Sequence, residues 1–200
     1  MRRAAVGVAL TVLLALAGCQ KVTHLAHQFD PRTSPADVAY RRAITPYLVK
    51  AAVYRGPATE ALFTLLPLNP VVRRAMVERE AAAFDLSPEQ VAKRRADMRA
   101  AAARGVEVLL SVYLPQRKWN DLAGPEPTFR VFLEDSGRRY RPVDRRRIRK
   151  RTALRQTLYP FWGYWDRLYI FRYPLKRPSP GAKLVVVGPL GRTELPLHWD

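Results

Sequence analysis

The chemistry open to this chain is bounded by a short supply of reactive side chains. It has one cysteine, Cys19, and three histidines, His24, His27 and His198, in 200 residues. One thiol cannot close an internal disulfide or build a cysteine-based zinc cage. His24 and His27 form a pair without a third ligand beside them, in a stretch with no sustained hydrophobic period. His198 lies two residues from the C-terminus, with no Asp or Ser partner in sight to make it a general base. No G-x-S-x-G, H-E-x-x-H, P-loop or strand-linked G-x-G-x-x-G is present. The 17 acidic residues are scattered, and no pair stands out as an acid–base couple. The expectation is a protein with no catalytic residue, no metal and no cofactor.

Two clusters suit binding instead. Arg138, Arg139, Arg141, Arg145, Arg146, Arg147, Arg149, Lys150, Arg151 and Arg155 fall within eighteen residues, with Asp144 the only acid among them. Guanidinium groups fork onto phosphate and carboxylate oxygens, so positions 138–151 are candidate anion contacts. The bland alternative is a solvated loop, since Arg outnumbers Lys 28 to 7 across the chain. That bias explains Arg in place of Lys, but not the excess of basic over acidic residues. The second cluster is aromatic. Tyr159, Phe161, Trp162, Tyr164, Trp165, Tyr169, Phe171 and Tyr173 place eight of twenty aromatic residues in fifteen positions. Phe161, Trp162, Tyr164 and Trp165 are the interface candidates, because Trp and Tyr anchor protein and membrane interfaces. The competing reading is that these rings fill a core and cover it with helices.

The first nineteen residues say where such contacts would be made. Met1-Arg2-Arg3 is a basic start, Ala4 to Ala17 is an apolar run, and Leu16-Ala17-Gly18-Cys19 closes it. The run is short for a bilayer-spanning helix, which needs about 20 apolar residues, and fits an export signal. The closing tetrad resembles the lipobox of bacterial lipoproteins. The resemblance implies cleavage between Gly18 and Cys19 and acylation of Cys19, by diacylglycerol on sulfur and usually by a fatty acid such as palmitate on the freed amine. Cys19 would then be no nucleophile. Two or more acyl chains anchor stably where one does not. In that class an Asp after the Cys usually retains the protein at the inner membrane, so Gln20 leans toward the outer membrane. The resemblance covers a tenth of the chain and implies nothing about the fold beyond it.

The elements that must position the clusters divide at about residue 105. Residues 1–18 read as signal peptide and 19–33 as a tether. From 34 to 104 helix signals dominate. Ser34-Pro35 opens a helix whose face carries Tyr40, Ala43, Ile44, Tyr47, Leu48 and Ala51, kinked at Pro46 and stopped at Gly56-Pro57. A short helix is expected over 59–66, another from Asn69-Pro70, and a last one from the capping box Ser87-Pro88-Glu89-Gln90 to Gly105. From 105 to 200 period-two alternation takes over, at 106–114, 128–134, 167–173, 183–187 and 193–199. Asp135-Ser136-Gly137 and Gly188-Pro189-Leu190-Gly191 mark hairpins. In strand 167–173, Leu168 and Ile170 are expected to face the core, with Tyr169 and Phe171 opposite. The fold class expected is α+β, an N-terminal helical segment followed by a small immunoglobulin-like β-sandwich.

The formal charge of 35 − 17, or +18, falls to +16 once Arg2 and Arg3 leave with the signal. In a cytosolic protein that excess would suggest nucleic acid. An exported chain meets phospholipid headgroups, lipopolysaccharide phosphates and acidic wall polymers instead, so nucleic acid is disfavoured. The sequence thus reads as a non-enzymatic cell-envelope lipoprotein facing the periplasm, held on a membrane by its N-terminal lipid and binding a protein partner as an adaptor or structural component. The alternative is a binding module for anionic lipid or glycan, built from 138–155 and 159–173.

Overall fold

A computed structural model describes residues 34–199, so the lipobox, Cys19 and the tether lie outside the described residues. The chain divides into two compact units, with the break between Ala39 and Tyr40. It falls inside the first helix, α1 (Pro35–Ile44). The described part of the first unit is the start of that helix, where the Asp37 amide donates to Ser34 Oγ at 3.1 Å.

The second unit holds two antiparallel sheets and the remaining helices. A 3-10 turn at Thr45–Tyr47 leads into β1 (Val49–Arg55) and β2 (Ala58–Pro67). Two helices follow, α2 (Pro70–Phe84) and α3 (Pro88–Ala103). Next come β3 (Val106–Tyr113), a 3-10 turn at Arg117–Trp119, β4 (Arg130–Asp135), β5 (Arg138–Tyr140) and β6 (Asp144–Ile148). The short helix α4 (Ala153–Leu158) precedes β7 (Arg167–Tyr173), β8 (Lys183–Gly188) and β9 (Gly191–Pro196). One sheet has the order β1-β2-β3-β7-β6 and the other β5-β4-β8-β9. Among the described residues no helix is long and apolar enough to cross a membrane.

Alternation in the strands explains how the layers stack. Phe63 and Leu65 of β2, Val108 and Leu110 of β3, and Tyr169 and Phe171 of β7 share one apolar cluster with Val131, Leu133, Leu184, Val186 and Leu195 of the other sheet. Their neighbours in sequence point the opposite way, as period two requires. Leu66, Leu109 and Leu168 form a second cluster with Ile44, Val72, Met76, Leu158 and Trp162. At the centre of the five-stranded sheet β3 and β7 are therefore covered on both faces, by the second sheet and by helices, while the edge strands β1 and β6 stay largely exposed. Both faces of β7 are core, so the expected split, with only Leu168 and Ile170 inward, is corrected.

The helix ends follow local chemistry. Asn69 Oδ1 accepts the Val72 amide at 2.8 Å at the start of α2. Ser87 and Gln90 form the expected capping box on α3, a helix with no buried residue. After α3, Gly105 has φ +138°, and a Cβ there would meet the Tyr173 carbonyl oxygen at 2.2 Å. That position needs glycine for both conformation and space.

Residues 49–67 correct the helical reading of the N-terminal half. They form the β1–β2 hairpin, with Arg55 paired to Ala58 across Gly56-Pro57. The helical spacing of Leu48 and Ala51 is coincidental. Val49, Ala51 and Val53 alternate with more exposed Lys50, Ala52 and Tyr54, and β2 gains its place from pairing with β3. Sheet pairing overrides the helix propensity of alanine here. One sheet consequently takes strands from both sides of residue 105.

The helix layer is locked by charge. Arg73 of α2 reaches Glu107 of β3 at 2.9 Å, with side chains 7% and 5% exposed. Arg73 Nε also donates to the Leu68 carbonyl at 2.8 Å. Arg73→Ala leaves a buried carboxylate unpaired and is expected to cost about 3–5 kcal/mol. The double replacement of Arg73 by Met and Glu107 by Leu should cost less than Arg73→Ala alone, as read by urea unfolding.

Candidate interaction site

The two clusters of the sequence meet at one end of the five-stranded sheet. β6, which carries Arg145, Arg146 and Arg147, is the sheet's edge strand and pairs with β7. Arg145 is in register with Phe171 and Arg147 with Tyr169. These two arginines are thereby on the face turned toward the second sheet. Arg167 shares that face, two residues before Tyr169 on β7.

The aromatic segment is a loop fixed by two charged residues. Thr152 Oγ1 accepts the Arg155 amide at 3.3 Å and starts α4. The chain then turns at Tyr159, whose carbonyl accepts the Trp162 amide at 3.0 Å. Asp166 closes the loop. Its Oδ2 accepts the Gly163 amide at 3.1 Å and the Ser111 hydroxyl at 2.7 Å. Its backbone carbonyl accepts the Trp162 indole N–H at 3.0 Å. A Cβ on Gly163 would come within 2.7 Å of the Asp166 carboxylate, so a side chain there would expel it.

Arg151 clamps the same loop from the other side. It donates to the carbonyls of Trp162 at 3.2 Å, Tyr164 at 3.3 Å and Gly163 between them. Its guanidinium lies 4.1 Å from the Trp162 ring centroid, a cation–π contact. The four interface candidates consequently separate. Trp162 is buried and Phe161 half-buried, both against the helix-side cluster. Phe161 and Trp162 thus follow the core-filling alternative, because the helix-side cluster takes their rings. Tyr164 and Trp165 remain 79% and 66% exposed. They pack edge to face at 4.9 Å, and Arg117 lies 5.6 Å from the Trp165 ring.

The basic run also separates. Arg138 and Arg139 are on β5, in the second sheet, away from β6 in pairing order. Arg139 is neutralised by Glu134 at 2.7 Å, as is Arg192. Hydrogen bonds from Arg192 and then Arg139 hold Glu134 below the usual carboxylate range. Arg141 lines a groove of about 680 Å³ with Arg130, Arg145, Glu126 and Asp144. Arg151 is engaged by the backbone carbonyls of the aromatic loop. The Lys150 side chain is exposed, and its carbonyl accepts from Arg155 at 3.0 Å. A second cavity, of about 460 Å³, gathers Arg145, Arg146, Arg147, Arg149 and Arg167 beside Asn120, Asp121 and Tyr169.

Sequence reasoning missed Arg167, Asn120 and Asp166. Arg167 had a signal, its two-residue spacing from Tyr169. Asn120 had none, since it acts by folding back: its side chain donates to the Val112 carbonyl at 2.9 Å. Its own carbonyl accepts the Tyr169 hydroxyl at 2.6 Å and an Arg167 N–H. His198 is exposed. Among the described residues no group of three His, Cys, Asp or Glu could hold a metal ion.

No protein-family model, curated protein or solved structure matches this chain.

Removing the clamp should loosen the loop without unfolding the sheets. Arg151→Ala is expected to cost about 1–3 kcal/mol, from lost charged hydrogen bonds and the cation–π contact. Exchange of the Trp162 indole proton with water, followed by NMR, should accelerate while the amides of β3 stay protected.

Proposed function

We propose that this chain is a non-enzymatic cell-envelope lipoprotein, anchored through acylated Cys19 with the outer membrane favoured. Its body is an adaptor that meets a protein partner through the loop carrying Tyr164 and Trp165. The observation that carries this reading is the contrast within that loop. Trp162 is buried under Arg151, whereas the next two aromatics are held outward on a backbone pinned by Arg151 and Asp166. Exposed Trp and Tyr on a pre-ordered backbone lose little conformational entropy on docking, which is the character of interface hot spots.

The finer fold assignment belongs to the same proposal. The order β2-β3-β7-β6 against β5-β4-β8-β9 supports reading these strands as A-B-E-D against C′-C-F-G of an immunoglobulin-like sandwich. β1 adds one strand outside the first, and α2 and α3 form an insertion between β2 and β3. The scaffold is one that commonly serves recognition, and a lipid tether raises its effective concentration near a membrane-bound partner.

Cys19→Ser should release the processed protein from membranes or block its processing, as followed by fractionation and palmitate labelling. A variant still cut and still membrane-bound contradicts the anchor. A photo-crosslinking residue at position 165, in intact cells, should capture a discrete envelope partner, and one at exposed Tyr54 on β1 should not. Equal capture from both positions contradicts the docking role.

A further inference from the structure

We propose that the cleft bounded by Arg145, Arg147, Arg149 and Arg167 is a binding site for a phosphate-bearing group with more than one negative charge. It uses none of the exposed aromatics and stands whether or not Tyr164 and Trp165 meet a partner.

The first support is how differently the chain treats its cations. On the second sheet, Arg139, Arg192 and Lys183 are each within 2.7 Å of Glu134 or Glu194. In the cleft the balance is absent. Asp121 is the one acid in its lining. That carboxylate accepts the Thr128 amide at 2.9 Å and the Thr128 hydroxyl at 3.4 Å, neutral donors that leave its charge in place, so five guanidinium groups share the lining with one negative charge. Arg145 and Arg167 donate to the backbone carbonyls of Pro125 and Asn120. Neither contact neutralises a charge. Among the described residues no carboxylate pairs with Arg147 or Arg149.

The second support is that the backbone brings these cations to one place, although Arg145, Arg147 and Arg149 are themselves exposed. β6–β7 register places Arg147 beside Tyr169 on one face, and Arg167 lies on the same face. The floor is tied to the Arg117–Trp119 turn side of the cleft, because the Tyr169 hydroxyl shares its one proton between the carbonyl and Oδ1 of Asn120, at 2.6 and 2.9 Å. Partial burial, and then repulsion from Arg167, push the Arg147 pKa below its ordinary value. Like charges gathered along one cleft repel one another until an anion arrives. A volume of about 460 Å³ is within the range of small-ligand sites. Guanidinium forks favour the paired oxygens of phosphate.

The test is calorimetric titration of the full chain in neutral detergent with inorganic pyrophosphate, at about 0.15 M salt, where loose surface attraction is screened. Saturable one-to-one binding is expected. The Arg147→Gln/Arg149→Gln variant should weaken it about tenfold or more, the loss of one charged hydrogen bond or better. Arg138→Gln/Arg141→Gln, which removes the same charge from elsewhere, should leave it within about twofold. Pyrophosphate should also raise the melting temperature of the wild type and not of the first variant, whose own melt reports that it is folded. No saturable binding, or equal weakening by both variants, overturns the site. Short-chain phosphatidate and glycerol 3-phosphate separate the sources. Tighter binding of phosphatidate assigns a membrane headgroup, equal binding of the two assigns a soluble phosphate monoester, and binding of neither beside pyrophosphate assigns a soluble diphosphate.

Discussion

Strand β3 has no face turned to water, and most of the architecture follows from that. Val106, Val108, Leu110 and Val112 are buried against the second sheet, while Leu109 meets the helices. A strand so placed requires two covering layers, and neither layer is complete without the other half of the chain. β2 supplies one neighbour from before residue 105 and β7 the other from after it. The helices are needed for the second face. A charge at Glu107 within such a strand is tolerable only with Arg73 against it. Val72 and Met76 supply the apolar packing of α2, and the pair with Glu107 satisfies the charge beneath it.

The same sheet sets the geometry of the surface. β6 is its edge, with one hydrogen-bonded neighbour. A strand of Asp-Arg-Arg-Arg-Ile has little apolar content to hold it in place, and charged edges also discourage pairing with other chains. β6 thus serves two ends at once, closing the sheet and presenting guanidinium groups at its rim. The loop before β7 is built on a comparable compromise. Arg151 is drawn from the basic run to satisfy three consecutive carbonyls, so the run is partly scaffold and partly surface.

Much of the β half was legible in the sequence because each strand announces itself by alternation. Phe129, Val131 and Leu133 alternate as expected, and all three are buried. Asp135-Ser136-Gly137 turns into β5 as its residues suggest. The β1–β2 hairpin was hidden by alanines, whose helix preference is strong and whose burial says little. β6 was hidden because arginine has no strand signature, and only pairing with β7 makes it one. The aromatic segment could be located but not divided. Whether a ring is buried or exposed depends on Ser111 and Asp166, fifty-five positions apart, meeting at 2.7 Å. Nothing local in Pro160-Phe161-Trp162-Gly163 carries that contact.

The proposed docking of a partner on the loop ending in Tyr164-Trp165 is checked by amide hydrogen exchange on the protein in isolated cell envelopes. Exchange in the native membrane is compared with exchange of the protein purified alone in detergent. Protection should rise in the membrane over residues 162–167 and stay unchanged along β1. Identical exchange of that loop in both settings, or added protection centred on β1, would contradict it.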